Sequence, residues 1–147
     1  MTKTGQRAET HAAFRFAVQI EGIDEAFFSE CTLPSLEVEI TEQKEGGYNS
    51  GTHLLPGRVK AGRVSLKRGV AHSTELLNWY RDVINGNLSA AMRRVSVVMY
   101  DSKLDEVMRL NFEGAYPTKW TGPSFKASEN SVAIETLELA FAEVTID

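Results

Sequence analysis

Residues 45–69 read EGGYNSGTHLLPGRVKAGRVSLKRG, six glycines in a run with no acid after Glu45. Its reading decides the fold. A glycine-rich loop that cradles phosphate sits between a strand and a helix, whereas a shaped excursion can lead straight into a strand. Gly57 and Gly62 stand with four residues between them, as in a phosphate loop. The next two places of that motif need Lys for the terminal phosphates and Ser or Thr for magnesium. Here they hold Arg63 and Val64, and a valine cannot ligate a metal. RVSLKRG then alternates like a strand. By elimination the segment is a long excursion running into a strand, and the near match is accidental.

Working outward, the same period of two recurs. In FRFAVQI, Phe14, Phe16, Val18 and Ile20 fall on one face, opposite Arg15, Ala17 and Gln19, which predicts a strand with one buried face. SLEVEI opposes Leu36, Val38 and Ile40 to Glu37 and Glu39, with Pro34 placed for a strand entrance. RVKAGRVSLKRG carries Val59 and Ala61, then slips one residue at Gly62 to Val64 and Leu66, which predicts one strand with a bulge. RVSVVMYD has two mostly apolar rows, and VMRLNFEGAYP sets Met108, Leu110 and Phe112 against Arg109, Asn111 and Glu113. The last run slips from Val132 and Ile134 to Leu137, Leu139 and Phe141, which predicts a bulge or two strands.

One stretch has a different period. In STELLNWYRDVINGN, Leu76, Leu77, Tyr80, Val83 and Ile84 follow helical spacing, with Ser73 as N-cap and Gly86 as stop. About seven strands and one helix predict a mostly antiparallel β-barrel or sandwich with one flanking α-helix. Residues 1–12 are polar and predicted to be a flexible segment, leaving 13–147 as one domain.

Composition narrows the function. The chain has 147 residues, 42% of them hydrophobic, and a formal net charge of −4, so it lacks the overall basic footprint of a duplex-binding module. Arg93-Arg94 is a local basic pair that reads as a solvated strand entry. Cys31 is the single cysteine, which rules out an internal disulfide and fits a reducing compartment. No window has the apolar length of a membrane span, and the N-terminus lacks a signal peptide's apolar core. Synthesis in the cytoplasm is the expectation, with any exit from the cell by a route other than general secretion.

Candidate chemistry fares poorly against plainer readings. His11, His53 and His72 are far apart and form no short-spaced ligand pair. Cys31 has no nucleophile signature around it, and no GxSxG elbow is present. Glu37 and Glu39 share a strand face that points to water or to a partner. Glu135 lies inside an apolar run and needs an Arg or Lys from a neighbouring strand or subunit. Trp79, Trp120, Tyr48 and Tyr116 could form a sugar platform, but helix register and a proline turn make packing the better account of the two tryptophans. The excursion itself displays Tyr48, Leu54 and Leu55, apolar area that marks a contact site. No catalytic, cofactor-binding or metal residue is assigned, and no cofactor.

In order, FRFAVQIEGI, FFSECTLPSLEVEI, the glycine-rich segment, LLNWYRDV, AYPTKWTGPSFKA and NSVAIETLELAFAEV resemble the tail tube protein family of contractile phage tails and related extracellular contractile injection systems. The likeness runs from about residue 13 to the C-terminus. It implies a small β-barrel or sandwich protomer that assembles into six-fold rings, stacked as a hollow tube inside a contracting sheath. It also implies a helix at LLNWYRDV, a turn at the Tyr-Pro-x-Lys-Trp run and a ring-stacking loop over roughly residues 42–56. In that loop Gly46, Gly47 and Gly51 would permit the turns, and Tyr48, Leu54 and Leu55 would pack on the next ring beside Asn49 and Pro56. Glu75, Asn78, Arg81 and Asp82 on the helix would face the sheath. The implied partners are further copies of the chain, the sheath protein, the spike hub and baseplate proteins and any cargo in the lumen, with no membrane insertion by this chain alone. The implied place is a phage tail-like particle, released from the cell in the injection systems.

Two other readings stay open on sequence. One is a tube initiator, a ring that joins the spike hub or baseplate to the tube. The other, of a different class, is a monomeric β-sandwich binding module.

Overall fold

Alternating segments become strands throughout the computed structural model, which describes residues 14–23, 28–44, 52–59, 62–70, 74–125 and 133–147, with backbone only at 41–44 and 52–59. The strands are β1 (Arg15–Ile20), β2 (Glu30–Thr32), β3 (Val38–Lys44), β4 (Thr52–Val59), β5 (Val64–Gly69), β6 (Arg93–Tyr100), β7 (Glu106–Thr121), β8 (Ile134–Ala140) and β9 (Glu143–Ile146). Two helices, α1 (Glu75–Ile84) and α2 (Leu88–Ala91), lie between β5 and β6. Among the described residues every strand pairing is antiparallel.

Strand β7 organises the barrel. Its first half pairs with β6 on one side and β9 on the other, and β6 in turn pairs with β1. Its second half pairs with β8, which leads on to β5 and β2. One 16-residue strand thus belongs to two sheets. The change of sheet comes at Gly114, where φ is +64° and the register against β6 slips by one residue between Phe112 and Ala115. A left-handed glycine at a bulge bends and twists the strand enough to turn the corner. The Tyr-Pro-x-Lys-Trp run, expected as a turn, lies inside the second half of β7. Pro117 is buried opposite Leu139, beside a second bulge, where a missing N–H breaks no ladder.

Between the two sheets Val18, Ile20, Val95, Val97, Leu110 and Phe112 meet Val64, Leu66, Leu137 and Leu139. A fully buried side chain of this size contributes about 1.5–3 kcal/mol. The final run is two strands, one of the two alternatives expected. The phase slip before Leu137 has another cause. Glu135, not Ile134, takes the inward place in β8, and Ile134 is exposed. Arg68 lies opposite it in β5 and donates from Nε to Glu135 Oε2 at 2.8 Å, while Trp120 Nε1 donates to Oε1 at 2.7 Å. The cation expected for Glu135 is therefore supplied by a neighbouring strand.

Helix α1 packs on β7 through Leu76 and Trp79, both buried, with Tyr80 and Val83 at the margin. The buried stripe is thus 76, 79, 80 and 83; Leu77 and Ile84, expected on it, are exposed. Thr74 takes the N-cap position without a side-chain cap bond, and Ser73, predicted for that role, lies outside the described residues. Gly86 follows the helix at φ +84°. Trp79 Nε1 donates to the Ala91 carbonyl at 2.6 Å, tying α1 to α2, a short helix the sequence pattern did not reveal.

Candidate assembly surfaces

The glycine-rich segment divides where a single bulged strand was expected. Among the described residues strand β4 pairs with β3 alone, as a two-stranded hairpin outside the main sheet, whereas β5 belongs to the barrel. At the junction a Cβ on Gly62 would lie 2.5 Å from Pro34 Cβ. Gly62 thus serves as the point of close approach between the two legs of the hairpin.

The hairpin carries part of the predicted stacking segment. Leu55 is opposite Thr41, Leu54 opposite Glu42, and Pro56 opposite Ile40. The ladder slips between Ile40 and Val38, with the extra residue on β4 just after Pro56, where a proline is tolerated. Gly46, Gly47, Tyr48, Asn49 and Gly51 lie outside the described residues. Leu36, Val38 and Ile40, spaced two apart, are all exposed, Ile40 at 64%. The sequence pattern had suggested a buried strand face there, but among the described residues no other strand or helix packs extensively along the hairpin. A lone two-stranded hairpin is marginal in water, so it needs a surface to lie on.

The predicted sheath-facing helix residues share one side of α1. Glu75, Asn78 and Arg81 are exposed and Asp82 is half-buried. Together with Gly22 and Arg93 they border a cleft of about 200 Å³. Arg93 lies over the Trp79 ring at 5.3 Å, so one member of the basic pair packs instead of standing free in water.

A wider polar hollow, about 470 Å³, opens on the outer face of the β1-β6-β7-β9 sheet. Its groups largely satisfy one another. Ser96 Oγ donates to Asn111 Oδ1 at 2.6 Å, and Asn111 Nδ2 donates to Asp147 Oδ2 at 2.9 Å. Arg94 Nε donates to Glu113 at 2.7 Å, and Arg109 to Glu106 at 3.0 Å and to Gln19 at 3.2 Å. Its hydrogen bonds to the Glu106 carboxylate hold the Arg109 guanidinium above its ordinary pKa. Positive and negative groups interleave there in a hydrogen-bonded network.

Burial pushes the Cys31 thiol up to about 11, so at neutral pH it is a thiol and not a nucleophilic thiolate. Among the described residues no three His, Cys, Asp or Glu side chains come together to hold a metal ion. His11 and His72 lie outside the described residues, as does the His53 side chain. Among those residues too, no helix is long and apolar enough to cross a membrane. The aromatic platform does not form: Trp79 is buried, Trp120 is engaged with Glu135, Tyr116 packs against the core, and Tyr48 is outside the described residues.

A self-paired hairpin beside the barrel is thus the feature that stands apart from the main sheet among the described residues. Residues 12–145 match the model of the T4-like virus tail tube protein gp19 family. The chain belongs to that family. A tail tube protein is a structural component, and this chain is not an enzyme. Comparison with curated proteins gives no match. Among solved structures, the fold is similar to a chain of the sheath-tube complex of the extracellular contractile injection system PVC in its extended state, with a TM-score of 0.71 and 23% identity over 100% of this chain and 99% of that one. A chain of the six-fold symmetrised anti-feeding prophage baseplate gives 0.66 and 22%, over 91% of each. Hcp1 from Flavobacterium johnsoniae gives 0.53 and 17%, over 89% of this chain and 93% of that one.

Proposed function

We propose that the chain is the protomer of the inner tube of a contractile injection system or phage-like tail, built as stacked six-fold rings around a hollow lumen. Membership of the tail tube family supports the tube. The observation that carries the stacking is the β3–β4 hairpin, which among the described residues pairs with itself alone and leaves an apolar stripe exposed. Hexameric symmetry draws support from the six-fold baseplate structure, whose chain shares this fold. The sheath runs along the α1 face bearing Glu75, Asn78, Arg81 and Asp82, and the spike hub and baseplate meet the first ring. The protein works within an assembled tail-like particle after synthesis in the cytoplasm, and the lumen is free to take cargo. Electron microscopy and light scattering of the purified chain test this. Rings and tubes are the expected result, and a monomer at every concentration would sink it.

The likeness to a baseplate chain favours a second reading, an initiator ring that joins the spike hub to the tube. An initiator forms defined rings yet does not polymerise into long tubes without a further partner. Micrographs with and without the hub protein separate the two.

A further inference from the structure

Asn85 is the one asparagine in the chain that glycine follows. That neighbour matters chemically. A backbone nitrogen can attack the side-chain amide of the asparagine before it where its own residue leaves room, and glycine, with no Cβ, leaves the most. The surroundings are open too. No described atom lies within 4 Å of the place a Cβ on Gly86 would take. Ile84 is 64% exposed, and Asn85, Gly86 and Asn87 are exposed as well, so water and base reach the amide from solvent.

The end of α1 holds the reaction back. Asn85 is the C-cap at φ −85° and ψ 2°, and Gly86 follows at φ +84°. Gly86 N donates to the Val83 carbonyl at 3.0 Å, and Asn87 N donates to the Asp82 carbonyl at 2.9 Å. These two bonds make a Schellman cap. In it the Gly86 N–H is occupied, and the backbone of Asn85 turns that nitrogen away from its own side chain. Attack therefore requires an open cap. The cap residues are exposed, so opening uncovers little apolar area and lies at the low end of local stability.

We propose that Asn85-Gly86 is a self-modification site gated by this cap. Once the last turn of α1 opens, the Gly86 nitrogen gives its proton to base and bonds to Asn85 Cγ, and the side-chain nitrogen leaves as ammonia. The cyclic imide then takes up one water. Opening at the side-chain carbonyl leaves an aspartyl residue at position 85, and opening at the main-chain carbonyl leaves an isoaspartyl residue. No oxidant, reductant or partner takes part, so the site stands apart from the tube reading. Loss of ammonia makes the change one-way. Either product adds a carboxylate to the C-terminal end of α1, where the helix already carries partial negative charge. The isoaspartyl form also lengthens the main chain by a methylene, which spoils the register of the cap.

The test ages the purified full chain in mildly alkaline buffer, folded and in urea, and maps the tryptic peptide of residues 82–93 by tandem mass spectrometry. The mass gain of an amide turned into an acid is expected at Asn85 and not at Asn87, which leucine follows, with separate aspartyl and isoaspartyl peaks. Urea should raise the rate about tenfold, because the open cap is then the common state. Gly86→Ala should slow the reaction in urea, where the fold plays no part. Ile84→Gly weakens the last turn without touching the core, and should speed the reaction of the folded chain about twofold. No gain at Asn85 in the folded chain, even with Ile84→Gly, overturns the site. Equal rates folded and in urea, with Ile84→Gly behaving like the parent, overturn the gate.

Discussion

Arg68 and Glu135 face each other across β5 and β8, both nearly closed to water, with Trp120 completing the carboxylate's bonds. Such a pair is worth little against well-packed apolar residues, but a half-pair is costly. Arg68→Met should therefore cost about 3–5 kcal/mol in urea unfolding, and adding Glu135→Leu should restore most of the loss. A double variant as unstable as the single one would show that the pair does not set the stability. The sequence revealed half of this arrangement. Glu135 stands out in an apolar run, whereas Arg68 in VSLKRG looks like an ordinary strand-end cation, and only the register shows it following Val64 and Leu66 on the inward face. Ser96 and Asn111 escaped notice for the same reason. Each alone reads as an outward polar residue, and their mutual bond exists only once β6 and β7 are aligned. Cys31 gives a second prediction at this scale. With its pKa pushed up to about 11, the thiol should be alkylated slowly at pH 7 in the folded chain and rapidly in urea. Equal rates would show that the fold does not protect it.

Among the elements, β1, β5, β6, the first half of β7 and α1 were legible because local alternation or helical spacing follows directly from facing one core. Two features were not. The long β7 changes sheets, so its pattern breaks at Gly114 and the tyrosine-proline run resembles a turn. The hairpin alternates like a buried strand, yet among the described residues Leu36, Val38 and Ile40 have no core to face and stay exposed. Its base is pinned by the approach of Gly62 to Pro34, so Gly62→Ala should force a shift costing about 1–3 kcal/mol in thermal unfolding. Unchanged stability would mean the legs can part freely. Strand β4 bears none of the barrel's ladder, so Leu54→Asp with Leu55→Asp should leave the protomer's Tm within a few degrees of the parent while shortening or abolishing tubes, because a charge buried without a partner is costly. Normal tube length in that variant counts against the hairpin as a stacking element.

At the scale of the whole molecule, charge and apolar surface make opposite demands on assembly. Each copy carries a formal net charge of −4, so neighbouring copies repel one another, most strongly at low ionic strength. The ion pairs Arg94–Glu113 and Arg109–Glu106 on the outer sheet face form within one chain. If the contacts between rings are apolar, added salt screens the repulsion and leaves the attraction intact. The screening length falls from about 10 Å at 0.1 M to about 3 Å at 1 M. Tube yield by sedimentation should hold or rise across that range, and it should fall on cooling from 25 °C towards 4 °C, since apolar attraction weakens in the cold. Tubes that dissolve as salt increases, and that are indifferent to cold, would mean that ion pairs between copies hold the rings. The exposed leucine, valine and isoleucine of the hairpin would then need another explanation.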